Sequence, residues 1–451
     1  MNRVVQLLKK NKVNIILFTI MTTISLIIFY FYYPGIITYD GNIQWNEVIT
    51  GKLSNSHPFF STYFMYLLSK IYKSPNIIII YQIILSTITF VRIFNLTRKN
   101  DAKIYKEIIL CILIASTPII SIFTITLWKD IIYTYYLLNI AITLYKWKNN
   151  NYNINNSQYI ILSILLFLVF NYRINGIIVA TLILIYTIII LRKYKLDKKA
   201  CLILILPFIV FNLVLLIPKN YYISKLEKSN EISIGTINSY MIWTFGEYLI
   251  DEVEIEKKDK EILNNIADIE EWKSVYSGYL INHTNQMAIN KEYLIKNQDK
   301  FRKIFFKTTL RNPIPFIKHY VRADSLLLAP YTYGYIYSYD YTNWNINPKS
   351  KNLYPIINTY NKIINFSVEN KYINLIYCPA NILYLNILLV LILNKKEKTK
   401  KYLIVLLPMI LNTISLIPIN IAQDLRYVYI NYLTLVFICI IYLNKLERKK
   451  K

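Results

Sequence analysis

Long apolar runs separated by short polar stretches repeat along this chain. Most of the runs are 17 to 22 residues long and rich in isoleucine, and a helix of that length matches a hydrocarbon core about 30 Å thick. We therefore predict an all-α polytopic membrane protein with about ten transmembrane helices. The predicted spans are 13–33, 76–96, 107–127, 131–147, 158–172, 174–191, 200–217, 373–394, 401–417 and 427–444.

The first run, 13–33, follows a basic start of the chain. It is too long for the core of a signal peptide, and no small-residue cleavage pattern follows it. We therefore expect this run to be retained as the first transmembrane helix.

Lysine and arginine are distributed unevenly between the two sides that this topology defines. With the N-terminus inside, the short cytoplasmic loops hold 25 of these residues and the short outer loops hold six. Cytoplasmic loops normally carry the positive excess, so the bias favours cytoplasmic N- and C-termini. It also places most of the excess charge, +26 in total, in short loops, which argues against a nucleic-acid partner. Heavy use of Ile, Lys, Asn and Tyr is typical of an AT-rich bacterial genome, so we predict a multi-pass protein of the bacterial cytoplasmic membrane.

Two predicted outer segments are long, 34–75 and about 219–372. The range 219–372 holds 17 of the 26 acidic residues and 20 basic ones, a balance that predicts a mainly helical extracytoplasmic domain of ordinary size. An aromatic loop at 331–341 belongs to it, near the membrane face. The stretch 58–72 has apolar residues at helical spacing, which predicts a helix along or dipping into the outer surface. The predicted division is an N-terminal transmembrane module (1–217), an outer domain (218–372) and C-terminal transmembrane helices (373–451).

The outer face carries the candidate chemistry, because charges at a membrane edge are costly and therefore informative. Only nine acidic residues lie outside the large domain, and four of them, Asp40, Glu47, Asp130 and Asp424, are predicted at the outer face. Together with neighbouring basic and polar residues they form four short polar segments. These segments are 34–58, 128–130, 171–176 and 423–427.

Glycine concentrates in the first of these segments. The chain has eight glycines, and Gly35, Gly41 and Gly51 lie within 17 residues of one another. Glycine permits unusual backbone angles and close approach to a ligand, although the same spacing also fits a simple exposed turn. An acidic residue in this loop, Asp40, is the candidate catalytic group.

Each remaining candidate has a plainer interpretation that the sequence leaves open. Lys129–Asp130 and Asp424–Arg426 fit local ion pairs or charges at helix ends. Arg173 has no acidic neighbour in sequence, so either an anionic ligand or a distant aspartate must balance it. His57 fits a hydrogen-bonding residue of the loop.

Several kinds of chemistry lack support in the sequence. Cys111, Cys201, Cys378 and Cys439 show no metal-binding spacing and fit apolar surroundings. No phosphate-binding loop, dinucleotide fingerprint, zinc-protease motif or nucleophile elbow occurs. The chain has three histidines, too few for most metal hydrolases, so we predict no metal ligands.

A family resemblance rests on the first outer loop, on Trp128-Lys129-Asp130 and on the segment from Tyr172 to Gly176. Together they resemble a bacterial family of polytopic proteins that is similar to the GT-C glycosyltransferases, membrane enzymes that use polyprenyl-phosphate sugars. The match covers mainly about the first 200 residues and the general layout. It implies an essential acid in the first outer loop, the place of Asp40. Many members have paired acids there, whereas the next acid here is Glu47, which leaves a divalent cation open.

The chemistry of the candidate residues agrees with this resemblance. A base must take a proton from an acceptor hydroxyl, a role that fits Asp40. Fixed cations must stabilise the phosphate that leaves the sugar. We predict a site for a polyprenyl-phosphate sugar and for an envelope glycan or lipid acceptor. Its predicted donor-binding residues are Gln44, His57, Lys129, Asp130, Arg173, Asn175 and Arg426.

Two other functions are alternatives. A transporter or flippase of lipid-linked saccharides should carry charges in the middle of the bilayer, whereas the apolar runs here are nearly free of acids. A polymerase or ligase that joins preassembled glycans has the same layout and stays an alternative.

Overall fold

The structure of this chain is a computed structural model, and the helices and strands of its described part are all α- or 3₁₀-helices apart from one pair of two-residue strands. The described residues are 2–54, 57–98, 104–194, 198–226, 236–284, 286–330 and 378–446, together with Lys362, Phe366, Asn370, Tyr372 and Leu375. The predicted aromatic loop at 331–341 lies outside them.

The helices follow one another with short connections in the N-terminal half. They are α1 (Asn2–Phe31), α2 (Tyr39–Thr50), α3 (Phe59–Ser69), α4 (Asn76–Thr97), α5 (Ile104–Ser116), α6 (Pro118–Thr124), α7 (Lys129–Asn149), α8 (Asn156–Tyr172), α9 (Gly176–Lys193) and α10 (Lys198–Leu226). Strand β1 (Ile36–Ile37) precedes α2, and strand β2 (Thr126–Leu127) precedes α7.

Shorter helices fill the middle of the chain, and longer ones return at the end. The middle helices are α11 (Thr236–Ile250), α12 (Lys257–Ile266), α13 (Ile269–Val275), α14 (Ile281–Thr284), α15 (Lys291–Lys296), α16 (Gln298–Arg311), α17 (Pro313–Ala323) and α18 (Ser325–Leu328). The last are α19 (Pro379–Lys396), α20 (Leu403–Leu416) and α21 (Tyr429–Leu446), with 3₁₀ turns at Ile417–Ile419 and Leu425–Val428.

Five helices among the described residues are long and apolar enough to cross a membrane, which supports a membrane protein. They are Asn11–Phe31, Asn76–Thr97, Gly176–Lys193, Lys198–Lys225 and Leu425–Lys445. A sixth crossing results if α5 and α6, which meet at a 66° bend, form one span. The remaining predicted spans overlap helices that are shorter or carry charged ends. Most of the first six residues of the span 373–394 lie outside the described part, and the count of about ten stays a prediction.

The chain divides into two compact units. Unit 1 comprises Met1–Leu226, Ser338–Ser415 and Arg426–Lys451, and unit 2 comprises Glu227–Tyr337 and Leu416–Leu425. Unit 2 thus overlaps much of the predicted outer domain and adds ten residues that the sequence analysis placed in the C-terminal transmembrane part. The predicted boundaries at 218 and 372 and the outer location stay predictions.

Unit 2 has its own hydrophobic core, in which Phe245, Trp272 and Phe301 are fully buried. It also encloses a carboxylate: Glu247 on α11 is fully buried and forms ion pairs with Lys318 and Arg322 of α17 at 3.0 and 3.1 Å. Because an unpaired buried charge is expensive, these two cations fix one face of α17 against α11.

The predicted surface helix at 58–72 exists as α3 in unit 1. Its residue Phe59 is buried in a cluster with Phe167 of α8 and Leu215 of α10. Thus one side of α3 packs on the helices of unit 1, while Ile71 and Tyr72 just beyond its end are exposed.

Candidate functional site

A two-residue parallel ladder brings the first outer loop to the start of α7. Ile36 pairs with Thr126 and Ile37 with Leu127. In each strand the chain runs on directly into a helix, so α2 and α7 begin side by side. Asp40 and Asp130 therefore occupy equivalent places, three residues after the last paired residue of each strand.

Local sequence fixes the start of α2 at this ladder. Thr38 caps the helix, since its side chain accepts a hydrogen bond from the Gly41 N–H at 3.0 Å. A Cβ atom at Gly41 would lie 2.5 Å from the carbonyl oxygen of Leu127. Glycine at this position thus lets α2 approach β2.

Arg426 links the two aspartates. Its Nη1 donates to Asp40 Oδ2 at 2.8 Å, and its Nε lies 3.9 Å from Asp130 Oδ2. Lys129 approaches the same Asp40 oxygen at 3.8 Å, and Arg173 Nε lies 3.0 Å from Asp130 Oδ1. We call these five residues, Asp40, Lys129, Asp130, Arg173 and Arg426, the charge cluster.

The two arginines of the charge cluster are held by aromatic rings as well as by carboxylates. The Arg426 guanidinium lies 4.8 Å from the Trp128 ring centroid and 5.1 Å from that of Tyr427. Arg173 lies 4.8 Å from Tyr427, so this tyrosine touches both guanidinium groups. Stacking of this kind favours arginine over lysine at both positions.

His57 lies at the edge of the charge cluster, with its Nδ1 3.3 Å from Lys129 Nζ. Burial and the Lys129 charge lower the pKa of His57 to about 4, against the opposing effect of Asp40. The ring is therefore neutral at pH 7. With the ammonium of Lys129 donating to Nδ1, the neutral tautomer carries its proton on Nε2.

Asp40 is ionised in this setting. Burial alone would raise its pKa, but the charges of Arg426 and Lys129 outweigh burial, so the pKa lies below its ordinary value. The carboxyl group is consequently a charged acceptor at neutral pH.

The two aspartates differ in exposure. The side chain of Asp40 is 27% exposed, and that of Asp130 is 1% exposed. Ligand can therefore reach Asp40, whereas Asp130 is confined between guanidinium groups.

A buried amide network supports the loop that carries Arg173. Asn175 donates to Asn412 Oδ1 at 3.0 Å and to Ser415 Oγ at 3.1 Å. Tyr133 OH donates to the same Asn412 oxygen at 3.1 Å, and Asn412 Nδ2 donates to the Tyr427 carbonyl at 3.1 Å. Through Asn412, Asn175 thus fixes the loop that carries Arg173 relative to the backbone of Tyr427.

Gln44 is placed differently from the other predicted site residues. Its fully buried amide donates to Ser61 Oγ at 3.0 Å and Thr62 Oγ1 at 2.9 Å, which ties α2 to α3. Glu47, the second acid of the loop, accepts hydrogen bonds from the N–H and hydroxyl of Ser54. Both side chains stabilise the loop that presents Asp40.

The donor set of the charge cluster does not suit a divalent cation. Each aspartate is already paired with guanidinium or ammonium groups, and three cations at the same place repel a metal ion. Among the residues that the structure describes, no group of three or more His, Cys, Asp or Glu side chains is arranged to hold one.

Comparison with protein-family models, with curated proteins and with solved structures gives no match for this chain. Its function is therefore inferred from the charge cluster and from the sequence.

Six predicted site residues come together in three dimensions: Asp40, His57 and the other four members of the charge cluster. Asn175 does not contact the charge cluster through its hydrogen bonds and instead belongs to the amide network with Asn412 and Ser415. Gln44 ties α2 to α3. For Arg173 the structure supplies the distant aspartate, Asp130, and the anionic ligand stays a prediction. Sequence reasoning missed Tyr133 and Asn412, and it gave no role to Tyr427 of the predicted segment 423–427. For Asn412 the available signal was an asparagine within the apolar run 401–417.

Proposed function

We propose that this chain is a membrane glycosyltransferase that moves a sugar from a polyprenyl-phosphate donor to an envelope glycan or lipid on the outer face. Asp40 is the base that takes the proton of the acceptor hydroxyl. Lys129, Arg173 and Arg426 hold the phosphate of the donor. Asp130 holds the two arginines in place.

The observation that supports this proposal most directly is the charge balance of the site. Three cations surround two carboxylates, and His57 is neutral, so the charge cluster carries one formal positive charge in excess. A phosphate monoester or diester supplies the missing negative charge. Arg173 has a further donor, Nη1, that is buried without a hydrogen-bond partner among the described residues.

Partner exchange would connect donor binding to the activation of Asp40. In the free site, Arg426 and Lys129 lower the pKa of Asp40, which makes it a weak base. A phosphate that attracts these cations would weaken their hold on the carboxylate. Asp40 would then become a stronger base when the donor is bound, next to the acceptor that it must deprotonate.

The proposed topology explains why the donor would be lipid-linked. With about ten spans and both termini inside, the charge cluster lies at the outer edge of the bilayer, and the range 218–372 forms an extracytoplasmic domain. A lipid-linked donor is the form of activated sugar that can be used at that place. This topology is supported by the distribution of Lys and Arg between the two sets of loops.

Binding of a lipid phosphate tests the role of the cations. The full chain in nanodiscs is titrated with farnesyl phosphate, and with farnesol as the phosphate-free control. We expect farnesyl phosphate to bind more tightly, and Arg426→Gln to weaken it about tenfold or more, since hydrogen bonds to charged groups contribute about 1.5–3 kcal/mol. The exposed residue Lys52 of the same outer loop gives the matched control, Lys52→Gln, which should bind normally. Equal binding of farnesol would contradict the proposal.

Turnover tests the role of Asp40. Release of polyprenyl phosphate is measured from a panel of polyprenyl-phosphate hexoses in membranes that supply the acceptor. We expect Asp40→Asn to abolish release while binding farnesyl phosphate at least as tightly as the wild type, because a competing negative charge is gone. Asn46→Ala, at an exposed position of the same helix, should remain active. Activity in Asp40→Asn would exclude this residue as the base.

A further inference from the structure

Helix α17 of unit 2 carries an exposed apolar face. Ile314, Ile317 and Val321 are 75%, 57% and 65% exposed, and their spacing of three and four residues places them on one side of the helix. Leu310, at the end of the preceding helix α16, is 82% exposed. An exposed group of apolar side chains of this kind indicates a surface that contacts a membrane or another protein.

The opposite side of α17 is already occupied. His319 and Ala323 are fully buried there, and Lys318 and Arg322 reach Glu247 of α11. The exposed face is thus not a core surface that the helix could turn inward. A change of orientation would break the ion pairs of a buried carboxylate.

Basic residues border the apolar face. All charged side chains of α17 are basic, and α16 carries five basic residues against one acid, Asp299. Arg311 pairs with Glu256 at 3.0 Å and keeps 63% of its side chain exposed. A helix with an apolar face flanked by Lys and Arg is typical of a segment that lies in the interface of a bilayer with anionic lipids.

We propose that this face of α17 lies on the lipid surface of the bilayer that the chain's own helices cross. Five described helices are long and apolar enough to cross a membrane, so a lipid surface is available without a second binding partner. The face would bury Ile314, Ile317 and Val321 among acyl chains, with Arg311 at the level of the headgroups. This inference does not depend on sugar transfer.

Fluorescence quenching tests the contact with lipid. A single cysteine replaces Ile317 in a full chain whose four native cysteines are changed to serine, and it is labelled with bimane in nanodiscs that contain phosphatidylglycerol. We expect a doxyl-labelled lipid to quench this label at least twofold and aqueous iodide to have little effect. Asn265→Cys, at an exposed position of α12, is the control and should respond in the opposite way.

Every other pattern overturns the inference. Quenching by iodide without quenching by lipid would place the face in water. Protection from both quenchers would show that a protein surface, for example a second copy, covers it. Val321→Cys repeats the measurement on the same face, so a failure of Ile317→Cys to fold does not remove the test.

Discussion

Arg426 joins side chains that are far apart in sequence, since its partner Asp40 lies 386 positions away. The sequence placed both residues on the outer side because alternation of apolar runs assigns each loop to a face. The sequence could not show which of the charged side chains form ion pairs with one another. Lys129 was weighed as the partner of its neighbour Asp130, yet its ammonium lies 3.8 Å from Asp40 and Asp130 is paired with Arg173. The partner of each charged side chain depends on the distances between helices, and the periodicity of the sequence does not give those distances.

The protonation of His57 makes stability sensitive to pH. An unfolded histidine titrates near pH 6.5, whereas His57 in the fold has a pKa of about 4. Between these values the unfolded chain binds a proton that the folded chain does not, so stability falls as the pH drops through this window. At pH 5 the loss from this residue is about 2 kcal/mol.

Denaturant unfolding at pH 7 and pH 5 measures this loss. We expect the wild type to lose about 2 kcal/mol more than His57→Asn on acidification. The other histidines are present in both chains and cancel in the comparison. An equal loss in the two chains would show that His57 is not held neutral by the fold.

At the scale of elements, the ladder and the start of α2 determine the position of Asp40. The sequence predicted neither strand, because two residues are too few for the alternation that identifies a strand. The cluster of glycines indicated close approach to a ligand or an exposed turn, whereas Gly41 is buried within α2, where it allows the helix to approach Leu127 of β2. The amide network of Asn175 and Asn412 was also invisible, since its partners come from separate helices.

Gly41→Ala tests the approach of α2 to β2. The added methyl group would meet a backbone oxygen at 2.5 Å, so the helix must shift, at a cost of about 1–3 kcal/mol. We expect lower stability and weaker binding of farnesyl phosphate, because Asp40 and Arg426 move apart. Asn42→Ala, at the exposed next position, should leave both unchanged, and equal effects of the two substitutions would argue against this explanation.

For the whole molecule, apolar length predicted a membrane protein, and the helices agree with that prediction. The number of crossings is harder to derive, since α7, α8, α19 and α20 are short or end in charged residues. Residues 39 and 194 distinguish the count of about ten from the count of five; a count of six, with α5 and α6 as one span, gives the same result as ten. Five predicted spans separate them and would place them on opposite sides, whereas the two long apolar helices between them, α4 and α9, would place them on the same side.

Cysteine labelling in intact cells decides between these topologies. Tyr39 and Tyr194 are both exposed, 82% and 43%, and each is replaced by cysteine in the chain that lacks native cysteines. We expect an impermeant maleimide to label Tyr39→Cys directly and Tyr194→Cys only after permeabilisation. Labelling of both before permeabilisation would refute the predicted orientation.

The parallel ladder also limits the insertions and deletions that this protein can tolerate between each strand and its aspartate. Each strand is followed by the same number of residues before its aspartate, and one added residue within a helix turns every later side chain by about 100° and moves it 1.5 Å. An insertion between Tyr39 and Asp40, within α2, would therefore carry the carboxylate of Asp40 away from Arg426 even if every original residue were kept. Substitutions of Tyr39, whose side chain is exposed, should be tolerated far better. We therefore expect natural variants to keep the number of residues between Ile37 and Asp40 even where the residues themselves change.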